Sequence, residues 1–336
     1  MSLPVVDLGV LFGNNAKDRA AAAAQIGAAC RADGFFYVTG HGGEALFADL
    51  QDESERFFGL PLEGRMAIAM ANGGPAWRGF FPVGGELTSG RPDLKQGLYL
   101  GEDLGPSDRR VAAGWPMHGV NQWPPAQPTL RPVVTAWMDA MTRAGHALME
   151  GVALSLGLPD RYFHDRYTAD PTILFRIFHY PATPPADGAD YGWGVGEHTD
   201  YGLLTLLAQD SNGGLQIKGR DGVWFDTPPI PGALVVNIGD MLDRLTQGLY
   251  RSAPHRVANT SGRDRLSWPL FFDPAFDAVV EPLPLAAEVR REARWDAADL
   301  SAISGPYGDY LLGKVGKVFP GLESTLSQRE REGPDA

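Results

Sequence analysis

The chain has 336 residues, of which 44% are hydrophobic and 21% are charged, and both fractions are ordinary for a globular protein with a full apolar core. Its 41 acidic residues outnumber 29 lysines and arginines and leave a net charge of −12, which argues against nucleic acid and an anionic membrane as the main partner. The single cysteine, Cys30, excludes an internal disulfide and a cysteine-based zinc site.

The N-terminal part of the sequence mixes helices with one apolar run. Good helix formers predict a helix over residues 16–32, and the apolar run at 35–38 predicts a buried strand. A second helix is predicted over residues 44–58. Residues 71–128 are rich in Gly, Pro and Trp and have little periodicity, which predicts a long, loop-dominated stretch of the kind that often carries function.

The C-terminal part begins with a long helix and continues with short strands. Apolar residues at helical spacing predict a helix over 132–156. Short apolar runs between turn residues then predict strands at 173–180, 202–207, 214–218, 222–225, 233–238, 255–258 and 265–273. This succession is typical of a sandwich or jelly roll. An amphipathic closing helix is predicted over 307–319, and a polar, frayed end over about 328–336.

No run of about 18 apolar residues and no secretory leader pattern is present, so the sequence favours a cytoplasmic location and no membrane association. We infer no obligate protein partner.

Two histidines and an aspartate have the pattern of a metal site. His198 and Asp200 lie two residues apart, so on an extended segment their side chains point to one side. His255 opens a predicted strand and completes two imidazoles and one carboxylate, the set that is diagnostic of non-haem Fe(II) oxygenases. Each residue taken alone has a structural alternative, as a loop or strand histidine or as a turn aspartate.

A second pair, Arg265 and Ser267, alternates onto one face of a predicted strand. A guanidinium beside a hydroxyl suits the carboxylate of a ligand. The alternative for Arg265 alone is a surface arginine on a sheet. The His-x-Asp pair, the later His255 and the Arg-x-Ser pair follow one another in this order, all within β segments. Together they indicate a functional site much more strongly than any one of them does alone.

The sequence resembles the isopenicillin N synthase-like superfamily of Fe(II)- and 2-oxoglutarate-dependent dioxygenases over about residues 3–320. The matching stretches are HTDYGLLTLLAQD (198–210), GGLQIK (213–218), VVNIGDMLDRLTQGLYRSAPHRV (235–257), RLSWPLFFD (265–273), LPVVDL (3–8) and DGFFYVTGHG (33–42).

The resemblance implies a mainly β fold with flanking helices (α+β), in which a double-stranded β-helix, or jelly roll, follows a mixed α/β N-terminal region. It divides the chain into an N-terminal region at 1–125, a long supporting helix at 126–170, a catalytic core at 171–280, and a C-terminal segment at 281–336 with a pocket-closing helix.

By the same resemblance, His198, Asp200 and His255 are the ligands of Fe(II), and Arg265 and Ser267 hold the distal carboxylate of 2-oxoglutarate. Plant members carry Asn-Tyr-Tyr-Pro upstream of the His-x-Asp motif, where this sequence has Phe-His-Tyr-Pro at 178–181. Only the last two residues match, and we assign Tyr180 to the cosubstrate on that match. Arg176 shares the strand face of Tyr180 and is assigned with it.

The function that the resemblance implies is an oxygenase that hydroxylates or desaturates a small molecule with O2 and releases succinate and CO2. The sequence leaves two alternatives open. One is a 2-oxoglutarate-independent oxidase of the isopenicillin N synthase type, in which the Arg-x-Ser pair holds the substrate. The other is a non-catalytic ligand-binding protein on the same fold.

The residues predicted to contact the substrate come from the long loop-dominated stretch and from the strand that carries Arg265. They are Arg78, Phe80, Phe81, Glu86, Lys95 and Tyr99, together with Phe271 or Phe272.

Overall fold

A computed structural model describes residues 2–182, 192–284 and 294–321. Its helices are α1 (Ala16–Arg31), α2 (Phe47–Gly59), α3 (Leu62–Met66), α4 (Arg109–Ala112), α5 (Leu130–Ser155), α6 (Asp240–Leu245) and α7 (Tyr307–Val318). Its strands are β1 (Val5–Asp7), β2 (Phe35–Thr39), β3 (Gly79–Phe81), β4 (Leu87–Thr88), β5 (Arg91–Pro92), β6 (Gln96–Gly101), β7 (Thr172–Tyr180), β8 (Val195–His198), β9 (Leu204–Gln209), β10 (Leu215–Lys218), β11 (Trp224–Asp226), β12 (Leu234–Ile238), β13 (His255–Val257) and β14 (Arg265–Asp273). The frayed end predicted over 328–336 lies outside the described residues.

Two sheets form the core of the fold. The larger has eight strands in the order β1-β2-β12-β9-β14-β7-β6-β3, and the smaller has four in the order β11-β10-β13-β8. All neighbours pair antiparallel except β1 and β2. Inward-facing residues of both sheets line one cavity, so the sheets face each other as in a jelly roll. The predicted mainly β architecture with flanking helices is confirmed.

The long helix α5 supports the outer face of the large sheet. Its buried stripe includes Trp137, Met141, Leu148 and Val152, which repeat at the spacing that predicted the helix. Gly145 of this helix lies so close to the ring of Phe272 on β14 that a β-carbon would come within 2.4 Å of it. A glycine at this point therefore lets helix and sheet pack in direct contact.

The stretch predicted as loop-dominated contains strands that the sequence analysis missed. β6 pairs with β7 along its whole length, and β3 pairs with β6 at the edge of the large sheet. β6 was not predicted because glycines at both ends of the Leu98–Tyr99–Leu100 run shorten its apolar pattern. The three residues of β3 are too few to show an alternation of apolar and polar residues. β8, which carries His198, was also not predicted as a strand.

Among the described residues, no helix is both long enough and apolar enough to cross a membrane.

Candidate active site

A cavity of about 450 Å³ opens between the two sheets. Its walls are the inward faces of β7, β9, β12, β13 and β14, and α7 and residues 86–90 border it. The helix predicted over 307–319 and part of the predicted loop stretch thus both reach the cavity. Tyrosine, phenylalanine and leucine side chains make up much of its lining, so the cavity combines an apolar body with a few polar groups.

The predicted metal ligands meet at one wall of this cavity. His198 ends β8 and His255 begins β13, and the two residues are direct partners in the antiparallel pairing. The Nε2 atoms of both histidines lie 3.7 Å from Oδ1 of Asp200. One ligand atom from each of the three residues lies within 4.8 Å of the others. Two atoms bound to one first-row metal ion at about 2.0–2.2 Å are at most about 4.4 Å apart, so the 3.7 Å pairs can share an ion.

Hydrogen bonds orient each of these side chains toward the shared position. Nδ1 of His198 lies 2.8 Å from the carbonyl oxygen of Gly196, and Nδ1 of His255 lies 3.3 Å from that of Ala253. A carbonyl only accepts, so these contacts place the proton on Nδ1 and leave the Nε2 lone pairs free to bind a metal.

Hydrogen bonds also orient the carboxylate of Asp200. Oδ2 of Asp200 accepts hydrogen bonds from Oγ1 of Thr205 at 2.5 Å and from Nδ2 of Asn237 at 2.7 Å. Oδ1 therefore remains available on the side of the histidines. The donor set and its second layer of hydrogen bonds fit a divalent transition metal.

Electrostatics favours the protonation states that ligation needs. Burial, with a contribution from the neighbouring His198, lowers the pKa of His255 to about 4, so this imidazole is neutral at neutral pH. Burial alone would raise the pKa of Asp200, but the two imidazoles and the hydrogen bonds from Asn237 and Thr205 lower it overall. A neutral imidazole beside an ionised carboxylate is the state that binds a cation.

Arg265, Ser267 and Tyr180 form a second polar group, where β14 pairs with β7. The guanidinium of Arg265 lies 4.7 Å from the centre of the Tyr180 ring, and Oγ of Ser267 donates to the Tyr180 hydroxyl at 3.4 Å. Nε of Arg265 donates to the carbonyl of Gly213 at 2.5 Å, and Nη2 donates to Gln209 at 3.3 Å. Nη1 is buried and has no partner among the described residues. An unpaired guanidinium nitrogen beside two hydroxyls fits the carboxylate of 2-oxoglutarate.

The structure does not bring Arg176 into this group. Arg176 lies four residues before Tyr180 on β7, which corresponds to about 13 Å along a strand. Its guanidinium lies 3.4 Å from the centre of the Tyr99 ring and 5.5 Å from that of Phe271. Arg176 lines the cavity, but nearer to these aromatic rings than to Arg265.

The predicted substrate residues fall into two sets. Lys95, Tyr99, Glu86 and Phe271 line the cavity. The other four predicted residues, Arg78, Phe80, Phe81 and Phe272, do not.

Each residue of the second set has another role in packing. Arg78 donates to the carbonyls of Leu100 and Met117, and the ring of Phe272 packs against His146 on the opposite face of the sheet. The ring of Phe80 meets that of Phe57. Phe81 packs behind the cavity wall, against Tyr99 and Phe178.

Several cavity residues were missed by the sequence analysis. Thr205 and Asn237 hold Asp200, and Asp273 and Tyr201 line the wall near it. A signal existed for Asn237, because a polar residue within the apolar strand sequence of β12 needs a buried partner. The helix that carries Leu311, Lys314 and Val315 was predicted to close the pocket, but which of its residues line the cavity depends on how the helix docks.

Two family models match the chain. The model described as non-haem dioxygenase in morphine synthesis N-terminal matches residues 3–126, and that of the 2OG-Fe(II) oxygenase superfamily matches residues 171–274. The chain belongs to the 2OG-Fe(II) oxygenase superfamily. It is an oxidoreductase that uses Fe(II), 2-oxoglutarate and O2 to oxidise a small molecule.

Similar proteins agree with this assignment. A Dictyostelium discoideum protein named "probable iron/ascorbate oxidoreductase" is 43% identical, over 96% of this chain and 96% of its own. The 1-aminocyclopropane-1-carboxylate oxidase of Dictyostelium mucoroides is 36% identical, over 95% of each chain. The crystal structure of a full-length Neurospora crassa protein in complex with alpha-KG has a TM-score of 0.76 and 25% identity, and the match covers 94% of this chain and 96% of that one. The expected double-stranded β-helix is thereby confirmed.

Proposed function

We propose that His198, Asp200 and His255 hold Fe(II), and that Arg265, Ser267 and Tyr180 hold the distal carboxylate of 2-oxoglutarate in the same cavity. The observation that carries the proposal is the buried Nη1 of Arg265, which has no partner among the described residues and shares a cavity with the three-residue ligand cluster. A buried donor without a partner is costly unless a ligand supplies the acceptor.

The residues of this chain perform binding and orientation. Thr205 and Asn237 fix one carboxylate oxygen of Asp200 so that the other points to the histidines. Arg265 and the two hydroxyls beside it orient the cosubstrate along the cavity. When bound together, Fe(II) and 2-oxoglutarate supply the activation of O2, which no side chain here can perform. The apolar lining contributed by β7, β14 and α7 limits access of water.

Turnover with and without 2-oxoglutarate tests the proposal. Fe(II)-loaded protein should release succinate from 2-oxoglutarate, and replacement of Fe(II) by redox-inactive Zn(II) should abolish the release. Asp200→Ala should abolish the release, and Arg265→Lys should lower it at limiting 2-oxoglutarate. Release equal to that of the wild type in both variants would contradict the residue assignment.

The names of the relatives given above refer to different chemistries. We propose that Lys95, Tyr99, Glu86 and Phe271 contact the substrate, since they line the cavity beside the ligand cluster. The cytoplasmic location and the lack of an obligate protein partner stay predictions from the sequence.

A further inference from the structure

Arg176 is a buried arginine that faces the cavity without a carboxylate partner. Its side chain is 4% exposed, and no carboxylate of the described residues lies within ion-pair distance of it. Nη1 donates to the carbonyls of Leu100 at 3.5 Å and Phe175 at 3.2 Å, and the guanidinium also bonds to the Tyr99 hydroxyl. No hydrogen bond of Nε or Nη2 to a carboxylate of the described residues is formed, so the charge of this guanidinium is not balanced by a direct ion pair.

The acidic groups nearby are already engaged. Glu86 accepts from the Tyr99 hydroxyl at 2.6 Å through one oxygen and pairs with Lys95 at 2.7 Å through the other. Asp93 also pairs with Lys95, and it accepts from Thr88 at 2.8 Å. Both carboxylates therefore pair with Lys95, and neither forms an ion pair with Arg176.

A third carboxyl group, that of Asp273, lines the same wall. Its Oδ2 accepts a hydrogen bond from the Tyr307 hydroxyl at 2.5 Å. Burial raises the pKa of Asp273 to about 7, so the group is only partly ionised at neutral pH. The positive charge of Arg176 partly counters this rise, but Asp273 and Arg176 form no direct ion pair.

The strand register places Arg176 between the metal-ligand cluster and the group formed by Arg265, Ser267 and Tyr180. On β14, Ser267 lies opposite Phe178 and Phe271 lies opposite Leu174, so Arg176 lies one inward-facing position from each pair. Phe271 in turn lies opposite Thr205, which holds Asp200. Because the guanidinium of Arg176 contacts Tyr99 and Phe271, it is directed toward the level of the metal ligands and away from Tyr180.

We propose that Arg176 binds a carboxylate of the substrate, and that the substrate is a small monocarboxylic acid with an apolar, ring-containing or branched body. This inference rests on the proposed function and names the substrate class for that site. The body of such an acid matches the lining of Tyr99, Leu174, Phe271, Leu311 and Val315. A charge-assisted contact to a planar guanidinium orients the acid as well as binding it.

A screen of paired compounds tests the substrate class. The Fe(II) protein with 2-oxoglutarate is incubated with a panel of aryl and branched alkyl monocarboxylic acids, each beside its primary amide, and succinate release is measured. We expect individual acids to raise the release above its level without added compound, and their amides to do so at least tenfold less. If the protein releases succinate from 2-oxoglutarate but no acid raises that release, or if the amides raise it as much as their acids do, the inference is overturned.

Binding measurements on variants then test the residue. The acid that raises release most is titrated by calorimetry into anaerobic protein loaded with Fe(II) and 2-oxoglutarate. In Arg176→Gln we expect its Kd to rise about ten- to a hundredfold, with the Kd of 2-oxoglutarate changed less than about twofold. Arg176→Lys, which keeps the charge, should show a smaller loss and serves as the folded comparison if the glutamine variant does not fold.

Arg78→Gln is the matched control, because Arg78 is equally buried and also bonds to the carbonyl of Leu100 but does not line the cavity. It should leave the Kd of the acid unchanged. If Arg176→Gln weakened 2-oxoglutarate instead of the acid, Arg176 would belong to the cosubstrate site, and if it weakened neither, its role would be packing against Tyr99. Wild-type protein that binds the acid but releases no succinate would count against the proposed function and leave the role of Arg176 standing.

Discussion

His255 lies directly opposite His198, because β13 pairs antiparallel with β8. This pairing brings together two histidines that are distant in the sequence, and the segment that follows β8 adds Asp200 two residues later. The metal site is thus built on the backbone hydrogen bonds of the smaller sheet, which holds the two imidazoles at a fixed separation. Side chains on rigid strands are placed more accurately than side chains on loops.

Replacement of Asp200 by alanine should weaken Fe(II) binding by roughly two decades or more. In other metal sites, loss of only a hydrogen-bond partner of a ligand already lowers the metal affinity about 10–100-fold. Succinate release should be lost with it. Anaerobic calorimetry with Fe(II) measures the effect. Asp226→Ala, at an exposed residue on β11, is the control and should bind Fe(II) as the wild type does. Wild-type affinity in Asp200→Ala would contradict the ligand assignment.

Replacement of Arg265 by lysine should raise the Kd of 2-oxoglutarate by about one to two decades. Lysine keeps the positive charge but lacks the planar pair of donors, and a charge-assisted contact contributes about 1.5–3 kcal/mol. The Kd of Fe(II) without cosubstrate should hardly change, since Arg265 is not a ligand. An unchanged Kd for 2-oxoglutarate together with weaker substrate binding would place Arg265 at the substrate and contradict its assignment to the cosubstrate.

The stability of the protein should depend on pH through Asp273. Because burial raises its pKa to about 7, the folded state keeps a proton that the unfolded state releases above about pH 4. The contribution of Asp273 to the free energy of unfolding therefore decreases as the pH rises from about 4 to about 7, by a total on the order of 4 kcal/mol. Above about pH 7 this contribution is constant.

Asp273→Asn keeps an acceptor for Tyr307 and cannot ionise, so its stability relative to the wild type should increase between pH 5 and pH 8. Urea unfolding at both pH values measures the difference. Asp226→Asn controls for the exchange of carboxylate for amide at an exposed position. If the free energies of unfolding of Asp273→Asn and the wild type differ by the same amount at both pH values, the carboxyl group of Asp273 is not protonated in the folded state.

Replacement of Tyr310 by phenylalanine should weaken the docking of α7. The Tyr310 hydroxyl donates to Oδ2 of the fully buried Asp240 at 2.8 Å. Loss of a hydrogen bond to a charged group should lower the free energy of unfolding by about 1.5–3 kcal/mol. Tyr162→Phe is the control, because its hydroxyl makes no hydrogen bond to the described residues, and it should change the stability by less than about 0.5 kcal/mol. Equal stabilities of the two variants in urea would contradict a role for this bond.

Local spacing in the sequence was enough to pair two residues of the metal-ligand cluster and two residues of the group around Arg265. Side chains two apart on a strand share a face, which is a property of the backbone and needs no knowledge of the partner strands. His198 with Asp200 and Arg265 with Ser267 could be paired on that basis, and the same alternation places Phe271, and not Phe272, on the face of Arg265.

Only the tertiary structure decided which of the other charged and aromatic residues face the cavity. Arg78 and Arg176 are both buried arginines, yet only Arg176 lines the cavity, because β6 pairs with β7 and sets Tyr99 opposite Arg176. The pKa values of His255 and Asp273 likewise depend on burial by elements far apart in the chain. Strand pairing and burial are long-range interactions between segments, so a local pattern carries little information about them.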